Sequence, residues 1–102
     1  MAKVIDITSR LTNEKPKIRI SKDFEIEVNA SKNNVIKMQT IVNSDKSETE
    51  LMDESLKLFV GEEAFNKLNE MDLTIADYKT VYTAVMACIN NESFEEAAKR
   101  FQ

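Results

Sequence analysis

The chain has 102 residues, a formal net charge of −4, one glycine, one proline, one cysteine and no histidine. That length sets a single domain over 1–102 as the expectation, and 42% hydrophobic residues suffice for one core. So little Gly and Pro argues against a turn-rich sandwich or barrel, missing His removes the commonest general base and metal ligand, and a lone Cys cannot close an internal disulfide.

Residues 1–28 lean towards strand. Val4-Ile5-Asp6-Ile7-Thr8 is β-branched and partly alternating, Lys17-Ile18-Arg19-Ile20-Ser21 alternates strictly, and Phe24-Glu25-Ile26-Glu27-Val28 alternates again. Asn13-Glu14-Lys15-Pro16 marks a loop, and Ser21-Lys22-Asp23 suits a hairpin turn. A small antiparallel sheet of two or three strands is expected, with Phe24, Ile26 and Val28 on its apolar face.

From Ser31 the period becomes helical and stays so over 31–102. Val35, Met38, Ile41 and Val42 share a face, with Ser31 as the cap. Ser47-Glu48-Thr49-Glu50 reads as a capping box, followed by Leu51, Met52, Ser55, Leu56, Phe59 and Val60 on one broad face. Gly61 stands where a left-handed helix stop belongs. Glu62 and Glu63 start a short helix with Ala64, Phe65 and Leu68 inward, the acids at its positive end. Thr74-Ile75-Ala76-Asp77 starts the longest helix, which carries a stripe from Ile75 through Tyr78, Val81, Tyr82, Val85 and Cys88 to Ile89. Its other side is small: Ala76, Thr80, Thr83, Ala84 and Ala87. Asn90-Asn91 breaks it, and Ser93-Phe94-Glu95-Glu96 restarts a helix with Phe94, Ala97, Ala98 and Phe101 on one side. The predicted fold is α+β and predominantly helical, a small N-terminal antiparallel sheet followed by about five helices, with the helix over 74–89 central.

Chemistry is sparse. Cys88 sits on the apolar stripe and reads as core packing. Glu48, Glu50, Asp53 and Glu54 cluster, as do Glu62 and Glu63, but acids at helix N-termini are what the dipole favours, and no calcium-loop spacing occurs. With one glycine there is no phosphate loop. No enzyme activity, cofactor or metal site is expected. Residues 1–46 hold nine Lys/Arg against six Asp/Glu, a balance of +3; residues 47–102 hold five against twelve, a balance of −7. The acidic half repels phosphates, so nucleic acid is not an expected partner. The longest uncharged run is too short to cross a bilayer, and MAKVIDITSR has neither the apolar run nor the cleavage motif of a secretory signal. The expected compartment is the cytoplasm.

Surfaces remain. No residue from Thr80 to Asn91 is charged, although the chain is 31% charged. Such a helix is either a core centre or one side of a protein contact. The candidate partner-binding residues are Leu58, Phe59, Phe65, Tyr78 and Tyr82. Leu58 and the small-residue side of 76–87 also predict weak homo-oligomerisation.

Leu56-Lys57-Leu58-Phe59-Val60-Gly61-Glu62-Glu63-Ala64-Phe65 with Leu68, then Asp77-Tyr78 leading into Val85-Met86-Ala87-Cys88-Ile89, then Glu95-Glu96 before Arg100-Phe101, resembles the tail assembly chaperones of long-tailed phages and prophages of Gram-positive bacteria. The likeness covers roughly residues 50–101, and the first thirty only in style. It implies a non-enzymatic protein of the host cytoplasm that binds the tape measure protein, keeps it soluble while tail tube subunits assemble, and is absent from the mature virion. It also implies contact with the major tail tube protein through a longer, frameshifted form. On this reading the partner is an apolar helical segment held by residues 47–60 and 62–69, with Phe59 and Phe65 as anchors. Two alternatives stand beside it: a structural tail or connector subunit retained in the virion, and a small phage-encoded DNA-binding regulator using 62–69 and 74–89 as a helix-turn-helix. The uncharged middle of the second helix argues against groove reading.

Overall fold

The computed structural model describes residues 3–11 and 14–100. Its fold is α+β: a two-stranded antiparallel sheet followed by five helices. Strand β1 is Lys17–Ser21 and β2 is Phe24–Glu27, joined by the two-residue turn Lys22-Asp23. Lys17 pairs with Glu27, Ile18 with Ile26 and Arg19 with Glu25, and the register then slips so that Ser21 meets Phe24. Alternation sorts the faces as predicted. Ile26 and Val28 are buried, Ile18, Ile20 and Phe24 are half-buried, and Lys17, Arg19, Glu25 and Glu27 face water. Exposed ion pairs Arg19–Glu25 (3.7 Å) and Lys15–Glu27 (3.8 Å) run along the outer face and add little. The stronger anchor is backbone: the Asn29 N–H donates to the Phe59 carbonyl at 2.7 Å, tying the end of the hairpin to the helical part.

The strand tendency at Val4–Thr8 is not realised. A short 3₁₀ turn occupies Thr8–Arg10, and residues 3–7 are exposed and irregular. The cause is local. The Asp6 carboxylate accepts from the Thr8 N–H (3.0 Å) and the Thr8 hydroxyl (2.8 Å), offering the backbone an alternative to a sheet ladder.

The helices are α1 (Lys32–Val42), α2 (Glu48–Val60), α3 (Glu62–Glu70), α4 (Ile75–Ile89) and α5 (Phe94–Arg100). Ser31, Ser47 and Thr74 each cap their helix, accepting at 3.2 Å from Asn34, Glu50 and Asp77 backbone N–H groups. The complete capping box forms at α5, where the Glu96 N–H donates to Ser93 Oγ and the Glu96 carboxylate accepts from the Ser93 N–H, both at 3.2 Å. At Ser47 only the serine half is made.

Gly61 ends α2 and begins α3. It has φ 89° and ψ 159°, so it is a positive-φ stop as expected, but extended rather than left-handed helical. Its N–H donates to Lys57 O (3.1 Å) and its carbonyl accepts from Phe65 N–H (3.0 Å), closing one helix and opening the next.

Helix α4 contacts α2, α5 and β1, while α2 contacts α1, α3 and α4, so these two helices share the centre. Val28, Leu56, Phe59, Phe65, Val85 and Met86 form the main core, and Ile26, Leu68 and Val81 form a second cluster under the hairpin. Ser55, fully buried at the side of α2 next to Tyr82, is small enough to let α2 and α4 approach. The helical face of α1 is shallower than predicted. None of its residues is fully buried, and Val42 stands 51% exposed. On α4 the predicted small-residue side is covered at Thr83 and Ala87, whereas Ile75 on the predicted stripe is exposed. Phe101, predicted to share a face with Phe94, lies outside the described residues.

Candidate functional site

The chain turns back at Asn90-Asn91, where Asn91 takes φ 51°, a conformation Asn tolerates better than most residues. This lays α5 against α4 beside the N-terminal half of α2. Between the three helices lies a cleft of about 440 Å³. Leu51 and Met52 of α2, Tyr82 and Thr83 of α4, and Phe94 and Ala98 of α5 line it. Two threonines on α4 satisfy their hydroxyls inside the helix, Thr80 on the Ala76 carbonyl (3.1 Å) and Thr83 on the Lys79 carbonyl (2.8 Å). What they offer the cleft is therefore largely apolar. The rim is charged: Lys79 pairs with Glu48 at 3.7 Å across α4 and α2. Phe94 remains 42% exposed at the mouth, an unusual position for a phenylalanine in a chain with few aromatics.

A second cleft of about 360 Å³ lies on the other flank of α4, between it and α1, with Val35, Met38, Met86 and Ile89 in its walls. Methionine adapts its shape readily, so this cleft is soft as well as apolar.

The structure distributes the five candidate partner residues between core and surface. Phe59 is 0% and Phe65 7% exposed, both in the main core, so neither offers an anchor to a partner docking on this form of the chain. The two expected anchors thus lie inside the folded chain rather than on its surface. A chain with two clusters to fill must bury its largest side chains, and these two phenylalanines sit where α2, α3 and α4 meet Val28 at the end of the hairpin. Leu58 is half-buried beside the main core, and its carbonyl accepts from Asn34 Nδ2 at 3.3 Å, joining α2 to α1. Tyr78 is half-buried and donates its hydroxyl to the Asp53 carboxylate, a polar clasp between α4 and α2. Of the five, Tyr82 alone lines the α2/α4/α5 cleft.

Burial first, and then the hydrogen bond and negative charge of Asp53, push the Tyr78 phenol well above its ordinary 10.0. The sign follows. The folded chain holds the proton that the unfolded chain releases above pH 10, so this contribution is complete below pH 10 and declines above it. Tyr78→Phe should lower stability by about 1 kcal/mol at neutral pH, because Asp53 loses its donor, and should remove the phenol's part of the alkaline loss. Thermal melts from pH 7 to pH 11 check both parts. Burial also raises Tyr82, offset in part by the Ser55 hydroxyl, and raises the Cys88 thiol, a direction opposite to that of an activated nucleophile.

Among the described residues no group of three His, Cys, Asp or Glu is placed to hold a metal ion, and no helix is long and apolar enough to cross a membrane. Compared with models of protein families, with curated proteins and with solved structures, the chain matches none. The cleft combines an apolar floor, an exposed aromatic and a salt-bridged rim. Sequence reading placed Phe94 and Ala98 on one helix face but did not bring them opposite Leu51 and Tyr82. The Asn-Asn break followed by a capping serine was the available signal for that return.

Proposed function

We propose that this chain is a tail assembly chaperone of a long-tailed phage or prophage, and that it holds an apolar helical stretch of the tape measure protein in the α2/α4/α5 cleft. The observation that carries the reading is the cleft itself, apolar within and charged at its rim, with Phe94 left at its mouth. A helix-in-groove contact needs those features and no catalytic group. One wall is α5, only seven residues long and too short to be stable without its neighbours, so it can give way as the guest enters. The acidic character of residues 47–102 keeps such a complex dispersed in the cytoplasm. The residue likeness over 50–101 supplies the identity of the guest.

The test is co-expression with the tape measure protein of the same phage, scoring how much of it stays soluble. Rescue by the natural chain is expected. Phe94→Ala and Thr80→Glu, both at exposed positions, should fold normally yet lose rescue: the first truncates a hot-spot contact, a loss of about 2 kcal/mol or roughly thirtyfold in affinity, and the second places a charge in the cleft that an apolar guest would have to desolvate. Equal solubility with and without the chain defeats the reading. Undiminished rescue by both variants moves the contact away from this cleft. A mass inventory of purified virions separates a chaperone, which is absent, from a retained tail subunit.

A further inference from the structure

The N-terminal arm leaves a large apolar surface in water. Val4 is 86%, Ile5 73% and Leu11 65% exposed, all within nine consecutive described residues. The accessible surface of the chain is 7801 Å². A compact monomer of 11.7 kDa should expose roughly 5,900 Å². The excess, about 1,900 Å², is more than the roughly 800 Å² that each partner contributes to a standard protein–protein interface.

An apolar groove lies open elsewhere on the same molecule. It runs between β1 and α4 as two cavities of about 400 Å³ and 290 Å³ that share Ile18 and Ala84. Its β1 wall includes Lys17 and Arg19, which face outward, as well as Ile18 and Ile20, which face inward. Residues of both faces can line one groove only where it follows the strand's edge. The backbone agrees. Val28 N–H donates to Pro16 O at 2.8 Å, and by antiparallel alternation Lys17 and Arg19 then turn their own N–H and C=O away from β2. A two-stranded sheet with an unpaired edge is marginal and a template for a further strand.

We propose that residues 4–8 of one copy add as a third, antiparallel strand to the β1 edge of a second copy, in the groove between β1 and α4. The dimensions fit: five extended residues span about 17 Å, and α4 from Asp77 to its end at Ile89 runs about 18 Å. Ile5 and Ile7 then fall opposite Ile20 and Ile18 on the apolar face. Asp6 falls opposite Arg19 on the wet face, an opposite-charge cross-strand pair. A second copy is favoured over the chain's own arm because the arm's apolar side chains stand in water while its own groove stays open, and the Asp6–Thr8 bonds and the turn at Thr8–Arg10 keep the arm of a single chain out of strand conformation. The alternating pattern of Val4–Thr8 acquires its strand only in the assembly. The groove adjoins the α2/α4/α5 cleft and shares Phe94 and Thr80 with its lining, but the arm residues Ile5 and Ile7 line neither, so variants of the arm test this proposal without touching the cleft.

Sedimentation velocity across a wide concentration range should show the natural chain self-associating. An Ile5→Asp/Ile7→Asp variant should associate at least tenfold more weakly with an unchanged melting temperature, since both positions are exposed in the monomer. In a Cys88→Ala background, oxidation of the double variant Asp6→Cys/Arg19→Cys should give covalent dimers. A natural chain that stays monomeric, an arm variant that associates as strongly, or an oxidised product closed within one chain would each overturn the proposal.

Discussion

Phe59→Ala should destabilise the chain by about 3–5 kcal/mol, the range for emptying a phenylalanine site in a packed core. Phe59 is among the largest fully buried side chains, it belongs to the main core where α2, α3 and α4 meet Val28, and its carbonyl also holds the Asn29 N–H. A domain of this size has roughly 5–15 kcal/mol of stability in total, so the variant should be largely or partly unfolded at 37 °C. Urea titration checks the magnitude. A loss below 1 kcal/mol would mean that the side chain is not packed as described. The same experiment decides how Phe59 matters: a functional defect in this variant reports lost folding, not a lost contact.

The second large effect is at Gly61. With φ 89° and ψ 159° it occupies a region that is essentially restricted to glycine, so Gly61→Ala should cost about 1–3 kcal/mol. A β-carbon there would meet nothing within 4 Å, so the penalty is one of backbone conformation rather than crowding. Gly61→Asn discriminates further. Asparagine relieves much of the strain at a left-handed helical stop, but not at this extended positive-φ geometry, so it should be about as damaging as alanine. Recovery of stability in the Asn variant would indicate a left-handed stop instead.

Both effects connect to what the residues revealed in advance. Strict alternation fixed β1 and β2, and the Ser31, Ser47, Thr74 and Ser93 caps marked four helix starts, because strand period and cap chemistry are local. The Gly61 stop was readable as a positive-φ position, but its ψ depends on how α3 leaves α2. Val4–Thr8 misled because its β-branched pattern carries strand preference without a partner strand in the same chain. The candidate site was less readable. The stripe on 74–89 was correctly apolar, yet periodicity cannot say which apolar residues close on each other and which remain at a surface. Phe59 and Phe65 look like Phe94 in sequence; only the placement of α5 and the hairpin separates two core residues from one at a cleft mouth.

The most direct test is a footprint of the guest. An apolar helical segment of the tape measure protein, titrated into the isotopically labelled chain, should shift the methyl and aromatic resonances of Leu51, Tyr82, Phe94 and Ala98 first and most. Core signals from Phe59 and Val85 should move little. Binding that leaves the four cleft residues unperturbed, or no binding at concentrations where the natural chain keeps that segment soluble, would contradict the proposed mode of recognition.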